Sequence, residues 1–337
     1  MRVFLVGDCE SDNGPGIANR KIRDALVNNF EVSYSQATGK WRRIIEVFRK
    51  IKKTDILVIC SKSKLNYIAI KIARWEKKKI LYIMHGYASY EVKINNPGEK
   101  KSRLRNICKY ESFVIDNVNK IVCVSKNFMG LMMEQFPDYK SKFDYIYNSV
   151  DVKRIREQFL RSSSDVKNQI LSVGGGMPRK NNICVAKAIN NIYQVNEHLT
   201  YCVVGKEAVD GKEIKTYSFV RWFDHMSHME LIDQMNKSAL YIQNSRFETF
   251  GLSIIEALAA GCSILISNNV GCKDLFTTIE ESDIIYNVDD VQEIENKIKF
   301  LIDHGNNQRL WSGFQIDKVS KEWCSEKLGS IIYCLKG

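Results

Sequence analysis

The sequence of 337 residues predicts an α/β protein built from two doubly wound, Rossmann-like domains. Hydrophobic residues make up 45% of the chain, so it can bury the cores of two domains of ordinary size. Short apolar runs alternate with segments of helical periodicity, and the alternation restarts after one polar, charge-mixed stretch at residues 153–168. Repeated units of this kind form a parallel sheet that helices cover on both faces.

Eleven apolar runs predict the buried strands of the two sheets, with helices between them. In the first half of the chain they lie at residues 2–7, 55–60, 79–84, 120–125 and 143–148. In the second half they lie at residues 169–174, 199–205, 217–223, 238–244, 262–267 and 283–288. Because ligands of such sheets bind beyond the carboxyl ends of the strands, we expect the functional site in a central cleft that the two domains face.

Charge is distributed unevenly along the chain. Residues 1–150 carry 28 Lys and Arg against 15 Asp and Glu, a net charge of +13, whereas residues 151–337 carry 22 against 24, a net charge of −2. This asymmetry predicts an anionic partner for the first domain. No recognised nucleic-acid-binding motif accompanies the charge, so we do not expect nucleic acid to be that partner.

The cysteines and the first apolar run indicate the compartment. None of the ten cysteines forms a CxxC pair, which is typical of free thiols in a reducing environment. The run at residues 3–6 is too short for a signal peptide or a membrane span, so we expect a cytoplasmic protein. His225 and His228 lack acidic or cysteine neighbours at ligand spacing, and no metal site is predicted.

Residues 40–53 (KWRRIIEVFRKIKK) predict an amphipathic helix. The apolar face would carry Trp41, Ile44, Ile45, Phe48 and Ile51, and the basic residues are Arg42, Arg43, Arg49, Lys50, Lys52 and Lys53. A core helix with a solvated basic face would explain this pattern, and so would a helix that lies on an anionic membrane. Further basic segments at 74–79 and 99–109 favour peripheral docking on the inner face of the cell membrane, where a lipid-linked acceptor would be found.

Residues 245–265 (SRFETFGLSIIEALAAGCSIL) place two carboxylates in an otherwise apolar segment. A strand is predicted to end at Asn244 and a helix to begin near Leu252, so Glu248 lies at the strand's carboxyl end and Glu256 one turn inside the helix. Such carboxylates can accept hydrogen bonds from sugar hydroxyls or a ribose diol, and amides at the helix start can donate to a phosphate. The alternative is that both glutamates are simply solvated.

The segment around these glutamates carries a family resemblance. Residues 225–274 (HMSHMELIDQMNKSALYIQNSRFETFGLSIIEALAAGCSILISNNVGCKD) closely resemble the donor-binding region of the family-4 retaining glycosyltransferases, which belong to glycosyl transferases group 1 and have the GT-B fold. The shared signature is a Glu, seven residues and a second Glu, with Phe-Gly after the first. The resemblance implies that Glu248 contacts hydroxyls of the transferred sugar and that Glu256 holds the nucleotide ribose. The other donor-binding residues implied for this segment are Phe250, Gly251, Leu252 and Ser253.

Further landmarks follow in the family's order across nearly the whole chain. Residues 7–26 (GDCESDNGPGIANRKIRDAL) resemble the glycine loop after the first strand, where Gly14 and Gly16 let backbone approach the donor. The tetrapeptide MHGY places His85 at a strand end, where the family carries a histidine beside the donor sugar. The resemblance implies an acceptor-binding domain at 1–152, a donor-binding domain at 165–315, and a last helix within 316–337 that crosses back to the first domain.

Residues 171–182 (LSVGGGMPRKNN) resemble the loop that holds the donor diphosphate. The family carries an Arg directly after the first glycine, Gly174, and this chain has Gly175 there; the family's Lys about five residues further on is matched by Lys180. We expect the three glycines to supply unhindered amides and Lys180 a positive charge to the phosphate. Arg179 is a candidate replacement for the missing Arg, but we expect its position beside Lys180 to aim it elsewhere.

The resemblance implies a glycosyltransferase that moves a hexosyl or N-acetylhexosaminyl group, with retention of configuration, to a glycan or lipid-linked glycan in surface polysaccharide biosynthesis. The expected donor is a UDP-sugar rather than a GDP-sugar, and no cofactor is required. The leaving phosphate would help to deprotonate the acceptor, and the residues assigned to catalysis are His85, Lys180 and Glu248. Glu248 as a nucleophile in a double displacement is the less favoured mechanism.

Two other functions stay open at this stage. A nucleotide-sugar epimerase of similar fold would bind the same donors, but its acid and base residues have no match in the sequence. A catalytically weak partner subunit of another glycosyltransferase would keep the fold and lose phosphate contacts, which is how Gly175 could be interpreted.

Overall fold

The computed structural model describes residues 1–11, 14–36, 39–60, 63–161 and 168–336. These residues form two compact units, and each unit contains one parallel sheet of six strands. The first unit consists of Met1–Tyr90, Glu99–Ser149 and Asp317–Gly337, and the second of Glu91–Gly98 and Val150–Ile316. The predicted α/β architecture with two doubly wound sheets is confirmed.

The first sheet has the spatial order β2-β1-β3-β4-β5-β6. Its strands are β1 (Arg2–Val6), β2 (Glu31–Tyr34), β3 (Ile56–Cys60), β4 (Lys79–Met84), β5 (Lys120–Cys123) and β6 (Phe143–Tyr145). The accompanying helices are α1 (Gly14–Val27), α2 (Lys40–Lys53), α3 (Lys64–Trp75), α4 (Ala88–Asn95), α5 (Lys101–Asn117) and α6 (Lys126–Gln135), and a 3-10 helix spans Pro137–Lys142. The residues of α4 from Glu91 onward belong to the second unit.

The second sheet has the order β12-β11-β10-β7-β8-β9. Its strands are β7 (Gln169–Val173), β8 (Thr200–Val204), β9 (Val220–Phe223), β10 (Ser238–Gln243), β11 (Ser263–Ser267) and β12 (Ile284–Ile285). Its helices are α7 (Val152–Leu160), α8 (Asn182–Tyr193), α9 (Gly211–Ile214), α10 (His228–Asn236), α11 (Leu252–Ala259), α12 (Val291–His304) and α13 (Asn307–Ser312). Short 3-10 helices span Lys273–Leu275, Glu281–Asp283 and Ile316–Val319.

The last helix, α14 (Lys321–Lys336), packs against α1 in the first unit. The Asn29 amide group donates to the carbonyl of Ser325 at 3.1 Å, and the Ser325 hydroxyl donates to the carbonyl of Ala25 at 2.8 Å. The predicted ranges 1–152 and 165–315, and the roles given to them, stay a prediction. One difference is that residues 91–98 cluster with the second unit, although they fall inside the first predicted range.

All eleven predicted runs contain a strand, because strands buried on both faces are nearly continuous in apolar residues. All five residues of β3 are buried, for example. The strand β2 was not predicted, since it is a half-exposed edge strand with the sequence EVSY and no apolar run. The polar stretch at 153–168, for which no helix was predicted, contributes most of α7, which packs against α11; residues 162–167 lie outside the described residues.

The loops that leave β7 and β8 pack backbone against backbone. The amides of Gly174 and Gly175 donate to the carbonyl of Val204 at 2.7 and 3.0 Å, and the amide of Gly176 donates to that of Lys206 at 3.0 Å. A Cβ at Gly175 would lie 2.1 Å from the Lys206 carbonyl oxygen, and one at Gly176 would lie 1.9 Å from a carbonyl oxygen of the same loop. Gly174 and Gly175 also have φ angles of +124° and +58°, where side chains are disfavoured. Packing therefore requires these glycines.

We expect Gly176→Ala to lower the free energy of unfolding by about 3 kcal/mol, because its Cβ would overlap neighbouring backbone. Gly130→Ala is the matched control: Gly130 lies inside α6 with no heavy atom within 4 Å of the added carbon, and alanine there should stabilise by about 0.5–1 kcal/mol. Urea denaturation measures both. Equal stability of Gly176→Ala and the wild type would contradict the packing.

Candidate functional site

The loop between β10 and α11 carries Glu248, and the loop after β11 fixes its backbone. The Glu248 amide donates to the carbonyl of Asn269 at 3.2 Å, and the Glu248 carbonyl accepts from the amide of Gly271 at 2.9 Å. Gly251 follows with a φ of +101° and caps α11, which begins at Leu252. The predicted strand, exit loop and helix are confirmed here. Glu248 lies at the carboxyl end of its strand.

Three side chains reach one oxygen of Glu248, Oε2. Lys180 Nζ lies 2.5 Å from it, Gln243 Nε2 3.0 Å and Arg179 Nη1 3.5 Å. The Glu248 side chain is only 13% exposed. Burial alone would raise its pKa, but the charges of Lys180 and Arg179, together with hydrogen bonds from Lys180 and the Phe250 amide, lower the pKa to about 2. The carboxylate is therefore ionised at neutral pH.

Lys180 reaches Glu248 by crossing the loop that follows β7. A Cβ at Gly174 would lie 2.4 Å from the Lys180 Cγ, so the glycine makes room for the stem of the lysine. Burial lowers the pKa of Lys180, and the attraction of Glu248, with that of Glu91 on α4, opposes this effect. The Lys180 ammonium was predicted to contact a phosphate. In the structure it pairs with Glu248, the carboxylate that was predicted to bind the sugar.

Arg179 was expected to be aimed away from the phosphate position; in the structure it turns towards the carboxylate that Lys180 contacts, and its role as the replacement cation stays a prediction. The Arg179 amide donates to the Asn95 side chain at 3.1 Å, and its carbonyl accepts from the amide of Arg246 at 2.9 Å. With the backbone held at both ends, the guanidinium turns towards Glu248 and donates to the carbonyl of Phe247 at 2.8 Å. Two cations therefore meet beside Glu248.

The expectation of unhindered glycine amides is wrong. The amides of Gly174, Gly175 and Gly176 all donate to carbonyls of the neighbouring strand exit, as described above. The physical reason is close packing, which turns these amides towards β8 rather than towards a ligand. Whether Gly174 and Gly175 belong to the donor site stays a prediction.

The start of α11 offers amides that have no partner inside the helix. The first amides of any α-helix lack intrahelical acceptors, and those of Gly251, Leu252 and Ser253 hold this position. The Phe250 side chain is 2% exposed and packs in the core, its amide binds Glu248, and its carbonyl accepts from the Cys272 amide at 2.8 Å. The donor contact assigned to Phe250 stays a prediction.

Glu256 pairs with a histidine that sequence reasoning did not place in the site. His228 Nε2 lies 3.0 Å from Glu256 Oε1. The glutamate side chain is 12% exposed and that of His228 is 63% exposed. Ser227 and Glu230 form the capping box that starts α10 and so present His228 on its first turn. The sequence SHMEL indicated that helix start but not the contact.

The remaining predicted site residues lie in the first unit. His85 directly follows β4, and burial lowers its pKa to about 4, so the imidazole is neutral at pH 7. Gly14 and Gly16 lie in the first turn of α1 instead of a loop. A Cβ at Gly16 would lie 2.1 Å from the Ser11 carbonyl oxygen, so this glycine admits the chain's own backbone. The donor contacts assigned to these three residues stay predictions.

The predicted amphipathic helix is α2, but its faces differ from the prediction. Val47 and Ile51 are buried in the core, so Ile51 does not belong to an outer apolar face. Trp41 and Ile45 are 74% and 50% exposed, and Trp75 of α3 is 70% exposed. The Phe48 and Trp75 rings stack at 6.2 Å. The outer surface is thus aromatic.

Most of the predicted basic residues accompany this aromatic surface, with one exception. Arg42, Arg43, Arg49, Lys52 and Lys53 are exposed. Lys52 Nζ lies 4.6 Å from the Phe48 ring centre. Lys50 instead pairs with Glu46 at 2.8 Å and donates to the carbonyl of Tyr34 at 2.6 Å, so it is removed from the proposed docking surface.

A buried polar chain beside Glu248 was missed by sequence reasoning. Gln243 on β10 donates to Glu248, and its amide oxygen accepts from the hydroxyl of Tyr241 at 2.7 Å. Both side chains are buried. The available signal was a glutamine at the end of an otherwise apolar strand, SALYIQ, since a buried polar group needs partners.

Neither a metal cluster nor a membrane-spanning helix is found among the described residues. No group of three His, Cys, Asp or Glu side chains could hold a metal ion there. None of the helices in those parts of the chain is long and apolar enough to cross a membrane.

The two parallel sheets and their helices define the GT-B glycosyltransferase fold, as predicted. The Anabaena protein HepE, solved in complex with UDP and glucose, matches with a TM-score of 0.71 over 99% of this chain and 100% of that chain at 13% identity. Sucrose-phosphate synthase from Thermosynechococcus elongatus gives 0.69 over 99% and 98% at 14% identity. WaaG, a glycosyltransferase involved in lipopolysaccharide biosynthesis, gives 0.66 over 98% and 99% at 13% identity.

Residues 153–312 match the model of the family Glycosyl transferases group 1. This part of the chain is similar to the glycosyltransferase domains of that group, and the predicted resemblance and class of enzyme are confirmed. No curated protein matches the chain in sequence. The matched range contains Lys180, Glu248 and Glu256.

We expect Lys180→Met to lower the free energy of unfolding by about 3 kcal/mol at pH 7, because it leaves Glu248 buried without its nearest cation. The pKa of Glu248 lies near 2 in the folded protein against an ordinary 4.5, so the pair stabilises above pH 4.5 and loses this effect as pH falls towards 2. The deficit of the variant should shrink in that window, as followed by urea denaturation.

The control for this prediction is the double variant Lys180→Met with Glu248→Gln, which removes both charges. It should be more stable at pH 7 than Lys180→Met alone, because no unpaired carboxylate stays buried. A deficit of Lys180→Met that does not change with pH would show that the ion pair is not what the substitution disturbs.

Proposed function

We propose that the protein is a family-4 retaining glycosyltransferase that moves a hexosyl or N-acetylhexosaminyl group from a UDP-sugar to a glycan or lipid-linked glycan during surface polysaccharide biosynthesis. The observation that carries this proposal is the meeting of Lys180 and Arg179 at Glu248, beside the first amides of α11. Two cations and a helix start suit a diphosphate, and a carboxylate suits sugar hydroxyls. Donor recognition needs both kinds of group in one place.

The diphosphate is proposed to lie against Lys180, Arg179 and the amides of Leu252 and Ser253. As the bond between the anomeric carbon and the phosphate breaks, negative charge grows on the leaving diphosphate. Buried cations stabilise that charge more effectively than solvated ones would. Arg179 is proposed as the second cation that Gly175 does not supply, and its position beside Glu248 weighs against the partner-subunit alternative.

The sugar and the ribose are proposed to lie on either side of the diphosphate. Glu248 accepts hydrogen bonds from hydroxyls of the sugar, and Glu256 accepts from the ribose diol. His85, neutral at pH 7, can exchange a hydrogen bond with the sugar without adding charge. The HepE structures that contain UDP and UDP-glucose support UDP as the nucleotide in this fold.

Retention is proposed to proceed without a glutamate nucleophile. Glu248 is bound at one oxygen by Lys180 and Gln243, and these donors would have to leave before that oxygen attacked carbon. The leaving phosphate, held by the two cations, is the base that takes the acceptor proton. No separate general base is assigned in this mechanism.

The aromatic surface of α2 and α3 is proposed to dock on the inner face of the cell membrane. Trp41, Ile45 and Trp75 can enter the interface between lipid headgroups and chains, while the exposed arginines beside them attract anionic lipids. Each basic residue near such a surface contributes about 1 kcal/mol at most. Docking would bring the enzyme to a lipid-linked acceptor.

The donor site is tested by calorimetric titration with UDP, GDP, ADP and uridine. Wild type should bind UDP best and uridine at least about 100-fold more weakly, because two charge-assisted contacts to the phosphates are lost. Arg179→Ala should weaken UDP binding by about 10-fold and leave uridine unchanged, whereas Glu256→Ala should weaken both. Lys187→Ala, a solvated lysine of α8 paired with Glu213, is the control. Failure of wild type to bind any nucleoside diphosphate would refute the donor assignment.

Membrane docking is tested by co-sedimentation with vesicles of neutral phosphatidylcholine, with and without anionic phosphatidylglycerol. Binding should require the anionic lipid and should weaken as salt rises. Trp41→Ser should weaken it about 10-fold through loss of an interfacial anchor. Val195→Ser, which removes an exposed apolar residue from the second unit, should have no effect. Equal binding to neutral and anionic vesicles would contradict docking by this surface.

A further inference from the structure

A chain of hydrogen bonds runs from the start of α11 to Glu248 through the interior of the second unit. Ser253 Oγ lies 2.7 Å from the Tyr241 hydroxyl, which lies 2.7 Å from Gln243 Oε1. Gln243 Nε2 lies 3.0 Å from Glu248 Oε2 and also donates to Ser245 Oγ at 3.0 Å. Tyr241, Gln243 and Ser245 are at most 2% exposed, so water does not replace any of these bonds.

The direction of every bond in this chain follows from the ionised carboxylate at its end. An ionised carboxylate only accepts, so the NH2 of Gln243 must face Glu248 and its oxygen must face Tyr241. Tyr241 then donates to Gln243, and its oxygen accepts from Ser253. The Ser253 proton therefore points into the chain, and all the bonds point towards Glu248.

We infer that Tyr241 and Gln243 are positioning residues that orient the Glu248 carboxylate for the sugar and link it to Ser253 beside the proposed diphosphate position. This inference rests on the proposed function. Hydrogen bonds from Lys180 and Gln243 to Oε2, with another to the carboxylate from the Phe250 amide, restrict its rotation and so fix the direction from which hydroxyls can donate to it. Because the Ser253 proton is committed to Tyr241, Ser253 meets a phosphate through its backbone amide and not through its hydroxyl.

The link has a consequence for recognition. Glu248 is assigned to the sugar, so a change in its orientation should alter binding of the sugar far more than binding of the nucleotide, which it affects only through Lys180. Loss of the Tyr241 hydroxyl would leave the buried Gln243 amide oxygen without its donor and remove one of the three hydrogen bonds that orient this amide group. The expected defect is therefore selective, whereas a general loss of packing would weaken sugar and nucleotide binding together.

The test compares UDP with UDP-glucose and UDP-N-acetylglucosamine on the full chain, by titration calorimetry. The measured quantity is the gain in affinity from the sugar, which is the Kd of UDP divided by the Kd of whichever of the two UDP-sugars binds more tightly. Tyr241→Phe should reduce this gain about 3- to 10-fold and Gln243→Met about 10-fold or more, while the Kd of UDP changes less than about 2-fold. Tyr201→Phe is the matched control, since it removes the hydroxyl of another fully buried tyrosine, on β8 of the same sheet.

A double variant tests the link to Ser253, which is half-buried and lies at the less protected end of the chain. Ser253→Ala acts through Tyr241 in this account, so Tyr241→Phe with Ser253→Ala should match Tyr241→Phe alone. Additive losses would overturn the link. Because Ser253→Ala removes only one hydroxyl near the surface, it keeps the inference testable if a buried variant fails to fold.

The outcomes separate the inference from the function on which it rests. Wild type that binds no UDP would refute the proposed function itself. Wild type that gains affinity from a sugar, with Tyr241→Phe indistinguishable from Tyr201→Phe, would overturn the inference alone. Equal losses for UDP and its sugar conjugates would also overturn it, since they would indicate a purely structural role.

Discussion

The ion pair between Lys180 and Glu248 is the interaction on which the candidate site depends, and backbone packing makes it possible. Lysine crosses the exit of β7 only because Gly174 offers no side chain, and the next two glycines allow that exit to lie directly on the exit of β8. The loop after β11 holds Glu248 by backbone bonds on the other side. The loops that follow β7, β8, β10 and β11 therefore all contribute to the position of one buried ion pair, Lys180 with Glu248.

The charges around the Lys180–Glu248 pair explain why this site suits an anionic ligand. Lys180 and Arg179 bring two positive charges to one carboxylate, and α11 adds the partial positive charge of its amino end. With Glu91 contributing from α4, the two cations and the two carboxylates balance, so the amino end of α11 is the group that favours an incoming anion. The polar chain through Gln243 and Tyr241 keeps the carboxylate from turning freely among these donors.

The sequence was sufficient for the strands and the two glutamates because their signals are local. Apolar runs predicted eleven strands, and Glu248 and Glu256 stand in a recognisable spacing next to a helix start. The direction of Arg179, the engaged glycine amides and the contact of His228 with Glu256 depend on residues 28 to 84 positions apart, so no local pattern records them. The edge strand β2 was missed for a different reason, since half-exposed strands need few apolar residues.

The most direct test of the central claim is a crystal structure of the protein with bound UDP. Diphosphate oxygens are expected within about 3 Å of the Lys180 ammonium, the Arg179 guanidinium and the first amides of α11. The ribose hydroxyls are expected to contact Glu256. A diphosphate bound elsewhere, with Lys180 still paired only with Glu248, would contradict the assignment of these two cations to the donor.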